Sequence, residues 1–137
     1  MTDLTLRCTG FFVEDVPKTL SFYQAAFGLN LRYLHPSTGY AELDTGETLL
    51  AFVSEQFIDE ASLLGGAPFR TNRHDTAPIA AWIAFVTADM EGDWQRALAA
   101  GATVIKLPEA KPWGQVVGYL RDLNGVIVEL CTKSPRG

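Results

Sequence analysis

Cysteine is scarce in this sequence, positive charge is in the minority, and long hydrophobic runs are missing. The 137 residues hold two cysteines, Cys8 and Cys131, which form no CxxC pair. This excludes a dense disulfide framework and a cysteine-rich zinc site. It fits a reducing compartment, with a single disulfide left open. Eleven Lys and Arg stand against sixteen Asp and Glu, a net charge of −5. Nucleic acid and anionic membrane both require clustered positive charge, so neither is expected as a partner. No apolar stretch reaches the ~18 residues of a membrane span. The start, MTDLTLRCTG, lacks the basic-then-apolar pattern of a signal peptide. GxGxxG, P-loop and HExxH motifs are absent, and no nucleophile sits beside a base. A cytoplasmic protein is expected.

What is present suits a globular chain: 47% hydrophobic and 20% charged residues. A chain of this size buries roughly two thirds of its unfolded surface and needs no covalent staple. An internal repeat organises it. Phe12-Val13, Ala26, Gly28 and Leu34 recur as Phe85-Val86, Ala99, Gly101 and Leu107, at an offset of 73. Tyr40 and Gly46 recur as Tyr119 and Gly125, at an offset of 79. The difference falls at Pro108–Trp113, read as an inserted loop.

Each copy predicts strand, helix and three strands. In the first, Leu4–Val13 reads as a strand. Asp15 caps a helix with Pro17 in its first turn and Val16, Leu20, Tyr23 and Phe27 on one face; Gly28 ends it. Strands follow over Leu29–His35, Tyr40–Leu43 and Glu47–Ser54. In the second, Ala80–Thr87 is a strand and Asp89 caps a helix with Met90, Trp94, Ala97 and Leu98 on one face. Strands follow over Thr103–Leu107, Gln115–Asp122 and Val126–Lys133, the last two joined by a turn at Asp122-Leu-Asn-Gly125. The expected fold is therefore α+β: two βαβββ modules, residues 4–54 and 79–133, in a single domain spanning 1–137. Their strands would form a cupped mixed sheet around a cleft. The linker 55–78 carries a short helix on Phe57, Ala61 and Leu64. Its remainder is polar, a connector or a lid.

Paired βαβββ modules resemble the vicinal oxygen chelate superfamily, which includes glyoxalase I, bleomycin-resistance proteins and extradiol dioxygenases. The stretch Pro112–Leu130 is similar to that family's closing hairpin, in which a DPDG turn leads into a strand ending Glu-Leu; here Leu123 replaces the proline. Val13–Leu29 resembles its first strand-to-helix junction. The resemblance spans about residues 5 to 133. It implies that metal-dependent members hold a divalent ion with four His or Glu side chains, two per module. Counting seven residues back from Asp15 and Asp89 places two of those corners at Cys8 and Trp82; aligning on the glycines instead gives Ala81 for the second, and neither Trp nor Ala can ligate. The last strand gives Glu129, and the 79-residue offset maps it to Leu50. Only Glu129 is a ligand suited to a hard cation. No metal and no other cofactor is expected.

Strand alternation puts Cys8, Gly10 and Phe12 on one face, Leu50 with Phe52 on another, and Trp82 with Ala84 and Glu129 with Ile127 and Cys131 on two more. If these faces line the cleft, Phe12, Phe52 and Trp82 are flat walls. Glu129 is then a charge in apolar surroundings that seeks a cation, an N–H donor or a proton. Trp113, on a Pro/Gly loop, would stand at the rim. The ligand-binding residues are thus expected to be Cys8, Phe12, Leu50, Phe52, Trp82, Trp113 and Glu129. The core alternative stays open for the aromatics, as does pairing of Glu129 with Arg121 or Arg32. The first functional reading is a metal-independent protein of the bleomycin-resistance type, holding an aromatic or amphipathic small molecule, with a second copy as its expected partner in a homodimer. The alternatives are a metal-dependent lyase, isomerase or dioxygenase, a metal-free enzyme with Glu129 as catalytic general base, and a dimerisation scaffold.

Overall fold

A computed structural model describes residues 3–136. The elements run β1 (Cys8–Val13), α1 (Val16–Phe27), β2 (Asn30–Leu34), β3 (Tyr40–Asp44), β4 (Leu49–Ser54), α2 (Glu55–Glu60), β5 (Trp82–Val86), α3 (Met90–Ala99), β6 (Thr103–Ala110), β7 (Val116–Arg121) and β8 (Ile127–Cys131). They build two four-stranded sheets of the same plan, ordered β1-β4-β3-β2 and β5-β8-β7-β6. In each, the outer pair β1/β4 or β5/β8 is parallel and the remaining pairs are antiparallel. The α+β architecture of two βαβββ modules is present. No helix among the described residues is long and apolar enough to cross a membrane.

The chain divides into two compact units. One holds residues up to Gln24 together with Gly28–Thr71; the other holds Ala25–Phe27 and everything from Asn72.

In the first unit, the helix signals act as the sequence predicts. The Asp15 side chain accepts a hydrogen bond from the Lys18 amide at 3.0 Å, and Gly28 adopts the left-handed conformation at φ 67° that ends α1. Val16, Leu20 and Tyr23 are buried. The Tyr23 ring lies 4.9 Å from that of Phe52, so α1 covers the face of the sheet that carries Phe11, Val13, Leu43, Leu50 and Phe52. β1 is shorter than expected. Its ladder with β4 begins at Cys8 opposite Leu49, because the chain before Leu49 is still turning, and Leu4 and Leu6 are left exposed.

The second unit repeats this arrangement. Asp89 caps α3 through the Gly92 amide, at 3.1 Å. Trp94 and Ala97 of α3 are buried with Leu120, Val128 and Leu130 of the sheet. Gly118 is required by this packing: a Cβ there would stand 2.5 Å from the Trp94 ring. The β7–β8 hairpin is set by buried Asp122, whose carboxylate accepts from the amides of Asn124 and Val126 at 2.8 and 2.9 Å. Gly125 takes φ 87° in that turn.

The expected inserted loop is corrected. Pro108–Trp113 is not all loop, since β6 runs through Pro108 to Ala110. β6 ends the strand order of its sheet, and its register with β7 shifts between Lys106 and Glu109. A proline is tolerated on such an edge strand at a bulge, where its missing N–H breaks no ladder.

The linker is also more structured than a free connector. Its helix, α2, spans Glu55–Glu60, earlier than the Phe57–Leu64 pattern suggested. Arg121 then anchors the segment beyond, donating to the carbonyls of Arg73 at 3.3 Å and Thr76 at 2.6 Å.

Candidate functional site

The register of each sheet decides which side chains share its open face, the one turned away from the helix. In the second unit Trp82 stands beside Ile127, Ala84 beside Glu129 and Val86 beside Cys131. Tyr119 faces Glu129 across the β7–β8 pair. The Trp82 indole is 60% exposed, and its Nε1–H donates to Glu129 Oε1 at 3.1 Å. Next to this pair is a cavity of about 390 Å³ lined by Ala80, Ala81, Trp82, Ile105, Tyr119 and Ile127. That size suits a small aromatic molecule.

The direct neighbours of Glu129 are polar but uncharged, although the charge of Lys111 reaches Tyr119. Burial, and next the Glu129 carboxylate, push the Tyr119 phenol up from its ordinary pKa. Burial and Glu129 do the same to the Cys131 thiol. Both groups therefore stay protonated near neutral pH. Among the described residues no cation lies within ion-pair distance of Glu129. Arg121 is committed to the carbonyls of Arg73, Thr76 and Gly125. Lys111 is paired with Glu109 at 2.6 Å. Neither Arg121 nor Arg32 is its partner, which closes that alternative.

The open face of the first unit is built differently. Its centre is Glu42, only 4% exposed. Its carboxylate accepts from Arg7 at 2.5 Å and from the Tyr40 hydroxyl at 2.6 Å, and Arg32 lies 3.8 Å away. Tyr40's hydrogen bond, with help from Arg7, holds the Glu42 carboxyl below its ordinary pKa against the opposing effect of burial.

The expected site residues separate accordingly. Trp82 and Glu129 come together. Cys8 is half-buried beside Arg7. Phe12 is covered edge-on by Phe69 from the linker, with ring centres 4.9 Å apart. Leu50 and Phe52 do not reach the open face. The ladder pairs Leu49, Ala51 and Val53 with Cys8, Gly10 and Phe12, and turns Leu50 and Phe52 toward α1. The face assignment was one residue out of register, which inverts every side chain of a strand. Trp113 is exposed and donates to Gln115 Oε1 at 3.0 Å; it is not among the residues lining the cavity. Ile127 falls with Glu129 as alternation placed it, whereas Tyr119 and Ile105 were missed. For Tyr119 the signal existed, because the Asp122–Gly125 turn sets the β7–β8 register. Glu42 had no comparable local signal, since Arg7 reaches it from 35 residues away.

A family model for the glyoxalase/bleomycin resistance protein/dioxygenase superfamily matches residues 5–130. The chain belongs to this superfamily. Solved structures of the same fold include a glyoxalase-related enzyme from Fulvimarina pelagi, with TM-score 0.77 and 21% identity, covering 94% of this chain and 88% of that one. A glyoxalase/bleomycin resistance protein/dioxygenase family enzyme from Burkholderia phytofirmans PsJN gives TM-score 0.77 and 22% identity, covering 94% and 98%. TioX from Micromonospora sp. ML1 gives 0.68 and 21%, covering 94% and 98%. At these identities the likeness carries the fold alone. No curated protein sequence matches the chain.

The superfamily's chelating corners can be tested against the side chains in each unit. Glu129 lies beside Ala84, and the corresponding ladder position in the first unit, beside Gly10, is Ala51. The corner assigned to Leu50 therefore belongs to Ala51, which has no donor atom. The other corner of that unit is the Cys8 thiol. In the second unit the corner next to Glu129 is filled by the Trp82 indole, which donates a proton and offers no lone pair. No group of three or more His, Cys, Asp or Glu side chains able to hold a metal occurs among the described residues. The residues present do not fit a resident divalent ion.

Proposed function

We propose that this chain is a small-molecule binding protein that holds an aromatic or amphipathic ligand on the open face of its second sheet, without a resident metal. The observation that carries the reading is Trp82. A tryptophan beside a cavity, largely exposed yet oriented by a hydrogen bond from its indole edge to Glu129, is a pre-set stacking surface. Aliphatic Ile105 and Ile127 complete the apolar walls, and Tyr119 adds a second ring. Trp113 stands apart in this reading, as a surface residue of the following loop. The experiment is a titration of ¹⁵N-tryptophan-labelled protein with quinoline as a soluble planar probe. The Trp82 indole resonance is expected to shift saturably while that of buried Trp94 stays still. A Trp82 resonance unmoved by saturating probe overturns the reading.

A second reading is an enzyme of the same superfamily, a lyase, isomerase or dioxygenase, with Glu129 as general base. It is favoured by a carboxylate that meets only neutral donors. Loss of turnover in Glu129→Gln with ligand binding kept would establish it. The protein is also taken as a homodimer. Val86, Val104 and Leu107 of the second unit are exposed apolar side chains that a second copy would cover. Light scattering at micromolar concentration tests this; a monomer mass refutes it.

A further inference from the structure

We infer that the ligand of the second sheet is an organic cation, an aromatic or apolar body carrying a protonated amine or amidine. This rests on the small-molecule reading above and names the ligand's charge.

The inference follows from an unbalanced charge. Glu129 is bonded to the indole of Trp82, which lines an apolar cavity, and its other neighbours Tyr119 and Cys131 are neutral. Every nearby cation is engaged elsewhere. Lys111 and Lys106 both pair with Glu109, at 2.6 and 3.6 Å, and Arg121 is spent on the carbonyls that anchor the linker. A partly desolvated carboxylate without a counter-charge attracts a cation strongly and repels an anion. The cavity walls add to the same preference. Trp82 and Tyr119 present the two ring types whose faces attract cations most. A neutral ligand would gain only the apolar contact. An anion would meet Glu129 with no arginine or lysine free to offset it. The aliphatic side chains of Ile105 and Ile127 require that the charge be attached to an apolar body, which separates this ligand from a hydrated metal ion or a free ammonium ion.

The test uses three planar molecules of similar size: benzamidine, a cation; benzamide, neutral; and benzoate, an anion. Each is titrated into the full-length ¹⁵N-tryptophan-labelled chain at pH 7, with the Trp82 indole resonance as readout. Benzamidine is expected to bind about tenfold more tightly than benzamide, a ratio typical of one cation–π and charge-assisted contact, with benzoate weakest. In Glu129→Gln that advantage should fall to about twofold or less. Benzamide or benzoate binding as tightly as benzamidine to the wild type overturns the inference while leaving the small-molecule reading intact. So does a benzamidine advantage that is undiminished in Glu129→Gln, because the charge argument rests on that carboxylate. If none of the three moves Trp82, the inference falls, and if quinoline fails to move it as well the small-molecule reading falls with it. Should Glu129→Gln not fold, the wild-type ratio of benzamidine to benzamide decides alone.

Discussion

Each sheet sets a glutamate beside a tyrosine on its open face, Glu42 by Tyr40 and Glu129 by Tyr119, and the two pairs have opposite fates. In the first unit Glu42 is buried, takes hydrogen bonds from Arg7 and Tyr40, and has Arg32 nearby. In the second, Glu129 is half-buried and bonded to the Trp82 indole, without a cation. The backbone is nearly the same in both; the counter-charge is not. A carboxylate with its own arginine spends its electrostatic energy on holding the strands in register. A carboxylate among neutral donors keeps that energy for a visitor. The same contrast runs through the aromatics. Phe52 of the first sheet is locked against Tyr23 of α1, whereas Trp82 of the second is open.

The largest effect that sharpens this contrast is on Phe52. Phe52→Ala should lower stability by about 3–5 kcal/mol in urea unfolding, the cost of a large cavity in a packed core. Trp82→Ala should cost less than about 1 kcal/mol because little of the ring is buried. Equal losses would break the distinction between a core aromatic and a site aromatic. Next is Glu42→Gln, expected to cost about 1–2 kcal/mol. It loses charge-assisted hydrogen bonds, but the Arg7 side chain is 64% exposed and water screens part of the interaction. Third, Trp82→Ala should weaken binding of a planar probe about tenfold with its melting temperature nearly unchanged, the size expected of one lost stacking face.

Acid provides a smaller signal. The folded-state pKa of Glu42 is lowered below its ordinary 4.5. Its contribution to stability is therefore fully present above pH 4.5 and lost as pH falls through the folded value. Wild-type stability should drop more steeply than that of Glu42→Gln below pH 4.5, by up to about 1 kcal/mol between the two curves; parallel curves would show that Glu42 is not stabilised as described. The smallest effect is Glu129→Gln, which should change stability by less than about 0.5 kcal/mol, since no ion pair is lost.

Much of the fold was legible because its signals are local. Asp15, Pro17 and Gly28 mark both ends of α1 within 14 residues. The Asp122–Gly125 turn carries its own hydrogen bonds. The duplicated order of strand, helix and strands predicted two modules, and two sheets of equal plan are present. Trp82 was reached by counting back from a cap and Glu129 through the resemblance of the last strand, and the two do meet. Leu50 and Phe52 failed because the offset between repeats is not constant. The pairs Gly10–Ala51 and Ala84–Glu129 show that the strand positions differ by 78 residues there, not the 79 taken from the tyrosines and glycines. One residue of error exchanges the two faces of a strand.

The sequence by itself determined the order of elements, the helix caps and the closing turn. These depend on residue type and on neighbours a few positions away. Only the tertiary structure decided that Arg7 neutralises Glu42 and that Glu129 is left to Trp82. Counter-charges in a sheet come from strands far apart in the chain, and their meeting is set by ladder register, which no short stretch of sequence encodes.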